Sequence, residues 1–160
     1  AVEEFTYNDD GTIPTIMPTR EGVKPVGTLD PYRRVEAETI ADSRGLTTEQ
    51  HHRTGVYVTD IHQGDWLKVA QVDMGDTSPR SITLSVASAS QGGTVLVYAD
   101  SIGGKPVAEL SITPTGGWEE WQAVSANLSV ALTGIHPIFF TFKGQKGRKL
   151  LNMDWWRMEK

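Results

Sequence analysis

The feature that most constrains the fold is a succession of short segments rich in β-branched and aromatic residues, none of which keeps helical periodicity over three turns. Each segment is bounded by Gly, Pro, Asp or Ser clusters, as strands that end in turns are. In residues 81–87, Ile82, Leu84 and Val86 alternate with Ser and Thr, the period of a strand with one buried face. We predict about eight strands, at 33–40, 65–74, 80–89, 93–100, 105–113, 119–132, 136–144 and 150–158. This pattern predicts an all-β fold, a β-sandwich of jelly-roll type.

The first thirty residues differ from the rest in composition. Residues 1–30 carry turn formers and prolines but few large apolar side chains, so we predict an extended linker or arm with no packed element of its own. Residues 31–160 then form one domain, which is large enough to bury a core without disulfides. The chain has no cysteine.

Charge and hydropathy exclude several classes of partner. The net charge is −5, with no basic stripe to neutralise phosphates, which argues against nucleic acid and anionic membranes. No apolar run approaches the roughly 20 residues of a membrane span. No signal peptide opens the chain, so an exported protein would be present here as a mature form or an excised part. Neutral ligands fit this composition best.

Three carboxylates are candidates for a metal site. Glu36 and Glu38 lie two apart in a predicted strand and so share a face, while Asp154 lies in the last strand among Met and Trp residues. First and last strands are often neighbours in sandwiches, so the three can converge. All-oxygen ligands of this charge suit calcium. The alternative is that the glutamates pair with Arg33, Arg34 or a strand neighbour on a solvated face.

Catalysis is weakly supported. Glycosidases place two carboxylates across a cleft, whereas the Glu36 and Glu38 pair shares one strand. The adjacent His51 and His52 are expected to diverge, and His62 and His136 have no ligand-like spacing. No nucleophile elbow or phosphate-binding loop is present.

The chain contains five tryptophans, and their placement separates core from surface. Trp118, Trp121 and Trp155 lie in strand-like segments, which favours burial in the core. However, Trp118 follows two glycines at a loop exit, where an indole face can meet the apolar face of a sugar ring. Asn152 offers both donors and acceptors suited to neighbouring hydroxyls. Both interpretations of Trp118 stay open at this point.

Four segments in this order resemble a family 6 carbohydrate-binding module: VEAET, GVYVTDIHQGDWLKV, TPTGGWEEWQAV and LNMDWW. The resemblance runs from about Tyr32 to Met158. The segment FTYNDDGTIPTIMPTREGV resembles the stretch that follows the catalytic propeller in family 43 glycoside hydrolases, which trim arabinose or xylose from plant polysaccharides. The chain is therefore similar to the C-terminal module of such an enzyme.

The resemblance implies a structural calcium ion that ties the first strand to the last. Its ligands would be Glu36, Glu38, a backbone carbonyl near Arg53 and Asp154. On this interpretation Asp154 is ionised against a metal, and the ion contributes stability and no chemistry.

The resemblance also implies a sugar site in the loops at one end of the sandwich. In similar modules a tryptophan and a tyrosine grip a sugar and an asparagine binds its hydroxyls; Trp118 and Asn152 match. The usual tyrosine position holds Asp60, so either Tyr57 takes that role or the cleft has one aromatic wall and a carboxylate. A second possible site lies on a sheet face.

These implications define the expected function. We expect a non-catalytic module that binds xylan or arabinoxylan and holds a covalently attached glycoside hydrolase near its substrate, in a secreted, extracellular or periplasmic setting. The alternative is a docking domain that packs on its own catalytic domain and has a vestigial cleft. Neither nucleic acid nor membrane is an expected partner.

Overall fold

The computed structural model describes residues 5–17 and 27–160. Its secondary structure is made of strands, and no helix among these residues is long and apolar enough to cross a membrane. The eleven strands are β1 (Val35–Glu36), β2 (Asp42–Arg44), β3 (Thr47–His51), β4 (Gly55–Ile61), β5 (Trp66–Asp73), β6 (Ser81–Ala87), β7 (Gly93–Ala99), β8 (Ala108–Ile112), β9 (Gln122–Asn127), β10 (Ile135–Lys143) and β11 (Leu151–Glu159).

The strands form two antiparallel sheets. The six-stranded sheet has the order β3-β4-β11-β6-β9, with β1 also paired to β11. The five-stranded sheet has the order β2-β5-β10-β7-β8. The first and last strands are therefore neighbours, as predicted, and the all-β sandwich is confirmed.

The core lies between the two sheets and is apolar. Trp156 of β11 is fully buried, and its ring centroid lies 5.4 Å from that of Phe140 in β10, so the two sheets meet at this aromatic pair. The prediction that Trp155 is buried in the core was therefore wrong. Trp155 points outward and is only half-buried, because successive side chains of a strand alternate between faces.

Strand β6 is buried on both faces. Ile82, Leu84 and Val86 face the core with no exposed area, as their alternation predicts. Thr83 and Ser85 point to the outer face but are each only 5% exposed. Thr83 Oγ1 lies 2.8 Å from Ser125 Oγ on the neighbouring strand β9. A central strand between two partners thus needs small hydroxylated side chains on its outer face.

The sequence prediction missed three strands, β2, β3 and β4. β2 and β3 are short, exposed edge strands whose sequences, DSR and TTEQH, have no apolar alternation to reveal them. β4 lies between β3 and β11 and supplies residues of the candidate site. The predicted strand over 33–40 is also too long, because β1 ends at Glu36 and the chain turns at Ala37 and Glu38.

The predicted arm divides into two described parts. Residues 5–17 contain a turn, closed by a hydrogen bond from Gly11 N to Asn8 O, and no strand. Leu29 forms a parallel bridge with Val72 and packs against the core. Residues 1–4 and 18–26 of the arm lie outside the described residues. The domain boundary at 30/31 stays a prediction.

His136 joins the end of β7 to the loop before β10. Its Nδ1 lies 2.9 Å from Asp100 Oδ1, and its Nε2 lies 2.7 Å from Thr133 O. Both partners are acceptors, so only the protonated ring donates to both at once. The hydrogen bond to Asp100 is the main reason that the pKa of His136 is raised.

We expect this contact to make stability depend on pH. The folded-state pKa is raised, so the contribution is complete below the unfolded value of about 6.5 and is lost as pH rises through the folded value. The loss should be below about 1 kcal/mol, because Asp100 is largely exposed to solvent. Urea unfolding of wild type and His136→Gln across this pH range measures the effect, with His52→Gln as control. A His136→Gln profile that parallels the wild type would contradict the assignment.

Candidate functional site

Four connections between the two sheets lie at one end of the sandwich. They are residues 62–65, 88–92, 113–121 and 144–150, which lead into or out of β4, β6, β9 and β11. Since the strand order there is β4-β11-β6-β9, the connection 144–150 lies between 62–65 and 88–92. Trp118 and Asn152, predicted to act together, both belong to this end.

Trp118 is presented by a glycine bend. Gly116 has a φ of 104°, a left-handed conformation that favours glycine, and it turns the chain just before the indole. Trp118 itself is half-buried, and its carbonyl oxygen accepts a hydrogen bond of 2.6 Å from Asn152 Nδ2. The structure thus brings Trp118 and Asn152 into direct contact and fixes the bend to the last strand.

Asn152 is the centre of a short polar network. The residue is 1% exposed, and its Oδ1 accepts a hydrogen bond of 2.7 Å from Thr59 Oγ1. Thr59 Oγ1 in turn accepts a hydrogen bond of 2.7 Å from Lys149 Nζ. Both ends of the Asn152 amide are therefore used within the protein, so in this state the residue orients Trp118 and Thr59.

Lys149 covers the indole. Its Nζ lies 4.4 Å from the centroid of the Trp118 ring, within the range of a cation–π interaction. Burial is the main reason that the pKa of Lys149 is lowered. The sequence prediction included neither Lys149 nor Thr59. The run KGQKGRK before the last strand was a signal for the lysine, whereas nothing local marked the threonine.

Asp60 occupies a β-bulge. Its φ is 55°, and the register between β4 and β11 shifts between Leu151 and Met153 at this point. Asp tolerates the left-handed conformation better than a β-branched or bulky residue does. Its side chain is exposed, and Oδ1 lies 3.8 Å from His62 Nε2. The left-handed backbone conformation therefore explains why an aspartate is suited to this position. The Asp60 carboxylate still faces solvent at the site.

Tyr57 lies away from solvent. It is 2% exposed, and its ring meets Trp121 edge-on with centroids 5.2 Å apart. Burial and a hydrogen bond to Glu49 raise the pKa of Tyr57 to about 12. The structure does not bring Tyr57 and Trp118 together as two open walls of a cleft. Trp121, predicted to lie in the core, is half-buried and donates its indole N–H to Thr54 Oγ1 at 3.1 Å.

The outer face of the five-stranded sheet is a second aromatic surface. Trp66 and Phe139 are both half-buried there, with ring centroids 6.2 Å apart. Lys68 Nζ lies 5.6 Å from the Phe139 centroid, and Tyr98 pairs with Phe139 across β7 and β10. The second possible site that the resemblance implies, on a sheet face, stays a prediction.

Two of the three predicted carboxylates, Glu36 and Asp154, share Arg34 where β1 meets β11, and Glu38 lies in the turn after β1; we call these residues the carboxylate cluster. Arg34 lies within it: its Nε and Nη2 donate to Glu36 at 2.8 and 2.9 Å, and Nη2 lies 3.4 Å from both oxygens of Asp154. The guanidinium also lies 5.7 Å from the Trp155 centroid. The sequence left two alternatives for Glu36: a metal site shared with Asp154, or an ion pair with an arginine. The structure has features of both, because Glu36 is paired with Arg34 and still lies beside Asp154.

One arginine leaves the cluster short of positive charge. Asp154 is only 5% exposed, and burial together with Glu36 and Glu38 raises its pKa to about 6, although Arg34 opposes the shift. Glu38 Oε2 is buried and has no hydrogen-bond partner among the residues that the structure describes. Within residues 5–17 and 27–160, three carboxylates face one guanidinium, which leaves an excess of negative charge in a partly buried place where a divalent cation with oxygen ligands fits.

The described side chains of the carboxylate cluster are not arranged as a complete metal-binding site. Among residues 5–17 and 27–160, no three Asp, Glu, His or Cys side chains are arranged to hold a metal ion. Arg53 is exposed in the turn before β4, and its N–H donates to His51 Nδ1 at 3.3 Å. The calcium prediction, including a carbonyl near Arg53, stays a prediction.

The histidines do not form a site. The prediction that His51 and His52 diverge was wrong, because their ring centroids lie 4.2 Å apart. His51 lies at the end of β3 and His52 in the following turn, where the chain curves and brings the rings together. His51 Nε2 lies 3.4 Å from Glu119 Oε2, which links this turn to the Trp118 loop.

Comparison with known proteins identifies the family. The model of the family described as carbohydrate binding module (family 6) matches residues 36–160. The chain belongs to carbohydrate-binding module family 6. This family 6 module is 37% identical to an arabinoxylan arabinofuranohydrolase of Bacillus subtilis (strain 168) and 35% identical to one of Paenibacillus polymyxa, each over 98% of the chain. It spans only 31% and 25%, respectively, of those two proteins.

A solved structure gives the same result. The crystal structure of a glycoside hydrolase family 43 arabinoxylan arabinofuranohydrolase from Bacillus subtilis, in complex with cellotetraose, matches with a TM-score of 0.79 and 36% identity. The match covers 99% of the family 6 module and 33% of that chain. The resemblance stated from four sequence motifs is therefore confirmed, and the module is of the kind associated with family 43 enzymes.

Proposed function

We propose that this family 6 module binds arabinoxylan-type polysaccharide of the plant cell wall at Trp118 and carries no catalytic function of its own. The observation that carries the proposal is the half-buried indole on its glycine bend, fixed by the 2.6 Å hydrogen bond from Asn152. A rigid aromatic surface with polar neighbours suits a sugar ring, whose faces are apolar and whose edge carries hydroxyls. The curated relatives, which are named arabinoxylan arabinofuranohydrolases, support the choice of polymer.

The benefit to an attached hydrolase is effective concentration. The relatives are three to four times longer than this chain, which supports a covalently attached catalytic domain. A site with a Kd of roughly micromolar to millimolar still raises the local concentration of a tethered enzyme at its substrate. Because the polymer lies outside the cell, the proposed location is secreted, extracellular or periplasmic.

Affinity electrophoresis tests the proposal. The module is run in native gels that contain xylan, arabinoxylan, arabinan, agarose, β-glucan or no polysaccharide. We expect clear retardation with xylan and arabinoxylan and none in the empty gel. Equal migration in every gel would contradict carbohydrate binding by the module.

The alternative, a docking domain with a vestigial cleft, is favoured by three closed features of the site. Asn152 is buried and uses each end of its amide in one internal hydrogen bond, Lys149 lies on the indole, and Tyr57 is buried. This alternative predicts no retardation in any gel. It also predicts that a separately produced family 43 catalytic domain binds the module in analytical ultracentrifugation.

We further propose that Glu36, Glu38 and Asp154, with a backbone carbonyl near Arg53, hold a calcium ion. The buried Glu38 Oε2 supports it, since this atom has no partner in the described part of the chain and buried polar groups need one. When bound, the ion would supply positive charge and no reaction chemistry. These side chains come from β1, the turn after it and β11, so a shared ligand would join the two ends of the domain.

A further inference from the structure

The connection before β11 concentrates positive charge in an acidic protein. Residues 143–149 have the sequence KGQKGRK, four cations in seven residues of a chain whose net charge is −5. None of the four, Lys143, Lys146, Arg148 and Lys149, forms a salt bridge within the described part of the chain. Unpaired cations beside a ligand site favour an anionic group on the ligand.

Arg148 lines a cavity next to the Trp118 site. The cavity has a volume of about 370 Å³, and of the described residues that line it only Arg148 is charged. The other lining residues are Ala89, Ser90, Gln91 and Gln145. A guanidinium among amide and hydroxyl groups provides several donors, and its fork matches a carboxylate better than a neutral hydroxyl.

The cavity and the Trp118 site are connected. Ser88 Oγ and Ser90 Oγ both donate to the carbonyl of Leu150, at 2.6 and 3.0 Å. Ser88 also contacts Thr115, just before the glycine bend: the Ser88 backbone N–H donates to Thr115 Oγ1, and the Thr115 N–H donates to the Ser88 carbonyl. Loops 88–92, 113–121 and 144–150 are thus held together, so one saccharide chain can contact both places.

Lys149 provides a second cation on the other side of its loop. A sugar ring that stacks on Trp118 displaces the ammonium from its position 4.4 Å from the ring centroid. The acidic residues near Lys149 are Glu49 and Asp60, which lie toward β3 and β4. The connection 88–92, on the opposite side, contains no charged residue. An anionic group is therefore accommodated toward Arg148, away from the two acids.

We propose that the site selects saccharides that carry a carboxylate, that is, uronic acid units, and that Arg148 and Lys149 determine this specificity. This inference rests on the proposed function, because it places the uronic acid next to a sugar stacked on Trp118. A neutral oligosaccharide still binds through the indole. The acidic unit adds a charged contact on the Arg148 side.

Isothermal titration calorimetry with a matched pair of ligands tests the proposal. One ligand is a xylo-oligosaccharide with a single glucuronic acid branch, and the other is the same molecule with its carboxyl group reduced to an alcohol. We expect the wild-type Kd to be roughly threefold to tenfold lower for the acid, as for a charged hydrogen bond to a partly exposed partner. This ratio should fall as salt rises from about 0.05 M to about 1 M, because screening weakens exposed charges.

Single substitutions test whether Arg148 and Lys149 cause the difference between the two Kd values. In Arg148→Gln the ratio of the two Kd values should approach one, and in Lys149→Gln it should fall part of the way, whereas Lys105→Gln, whose lysine lines a separate cavity, should keep the wild-type ratio. Thermal melts check that each variant is folded, and the salt series on wild type needs no variant. An oligogalacturonate that binds as tightly as the branched ligand would identify the carboxylate itself as the recognised group. If the branched ligand binds tightly and the oligogalacturonate does not, the recognised group is the glucuronic acid branch in its linkage to xylan.

The outcomes separate the two proposals. Equal Kd values for the acid and its reduced form overturn the carboxylate preference and leave carbohydrate binding intact. Absence of binding for both ligands overturns the proposed function and, with it, this inference. A ratio that is unchanged in both loop variants also overturns the assignment to Arg148 and Lys149.

Discussion

Replacement of Trp118 with alanine is expected to abolish retardation in xylan and arabinoxylan gels. The indole is the one large apolar surface that the glycine bend presents at this end of the sandwich, and stacking on it is expected to dominate a weak site. Loss of such an anchor costs about 2 kcal/mol or more, roughly a thirtyfold increase in Kd. A site with a Kd of roughly 0.1 to 1 mM would then have a Kd of about 3 to 30 mM, which is too weak to retard the module.

The fold should tolerate this change. The Asn152 hydrogen bond goes to the Trp118 backbone carbonyl, which alanine retains. Trp66→Ala is the matched control, since Trp66 is also half-buried but lies on the outer face of the five-stranded sheet. Full retardation of Trp118→Ala together with loss of retardation in Trp66→Ala would move the site to that sheet face. Loss in neither variant would leave both aromatic surfaces without a role in binding.

Removal of calcium is expected to lower the melting temperature. A ligand that binds only the folded state at one hundred times its Kd adds about 2.7 kcal/mol to the free energy of unfolding. In a domain of this size that amounts to roughly 5–10 °C. The physical reason is the excess negative charge around the buried Asp154, which Arg34 offsets only in part.

Differential scanning calorimetry with calcium and with chelator measures the shift. Asp154→Asn removes one proposed ligand and should show little difference between the two conditions. Asp42→Asn, a change to an exposed carboxylate in β2, should show the full wild-type shift. Superimposable wild-type melts in calcium and chelator would exclude the ion and leave Arg34 as the cation that neutralises the cluster.

The carboxylate cluster and the Trp118 site lie in different parts of the fold, and we expect them to affect different properties. The carboxylate cluster lies where β1 pairs with β11, so we expect an ion bound there to stabilise the contact between the two ends of the domain. The Trp118 site lies in loops at the end of the sandwich, where side chains can vary without loss of the core. A chelator should therefore change stability, whereas Trp118 and loop variants should change ligand binding.

The sandwich fold could be predicted from the sequence because its signal is local. Ile82, Leu84 and Val86 alternate with small polar residues, and this period of two follows directly from strand geometry. The same logic failed for β2 and β3, because exposed edge strands need no apolar face. It also misassigned the Trp155 and Trp156 pair, since a doublet of aromatics does not show which member points inward.

Only the tertiary structure decided the details of the candidate sites. Arg34 reaches Asp154 across 120 residues of sequence, and Lys149 reaches Thr59 across 90. Tyr57 is closed off by Trp121 from a distant loop. The sequence by itself predicted most of the strands, though not β2, β3 and β4, and marked Trp118, Asn152 and the three carboxylates as candidates. Their partners are set by strand order and loop packing, and these long-range contacts leave no periodic trace in the chain.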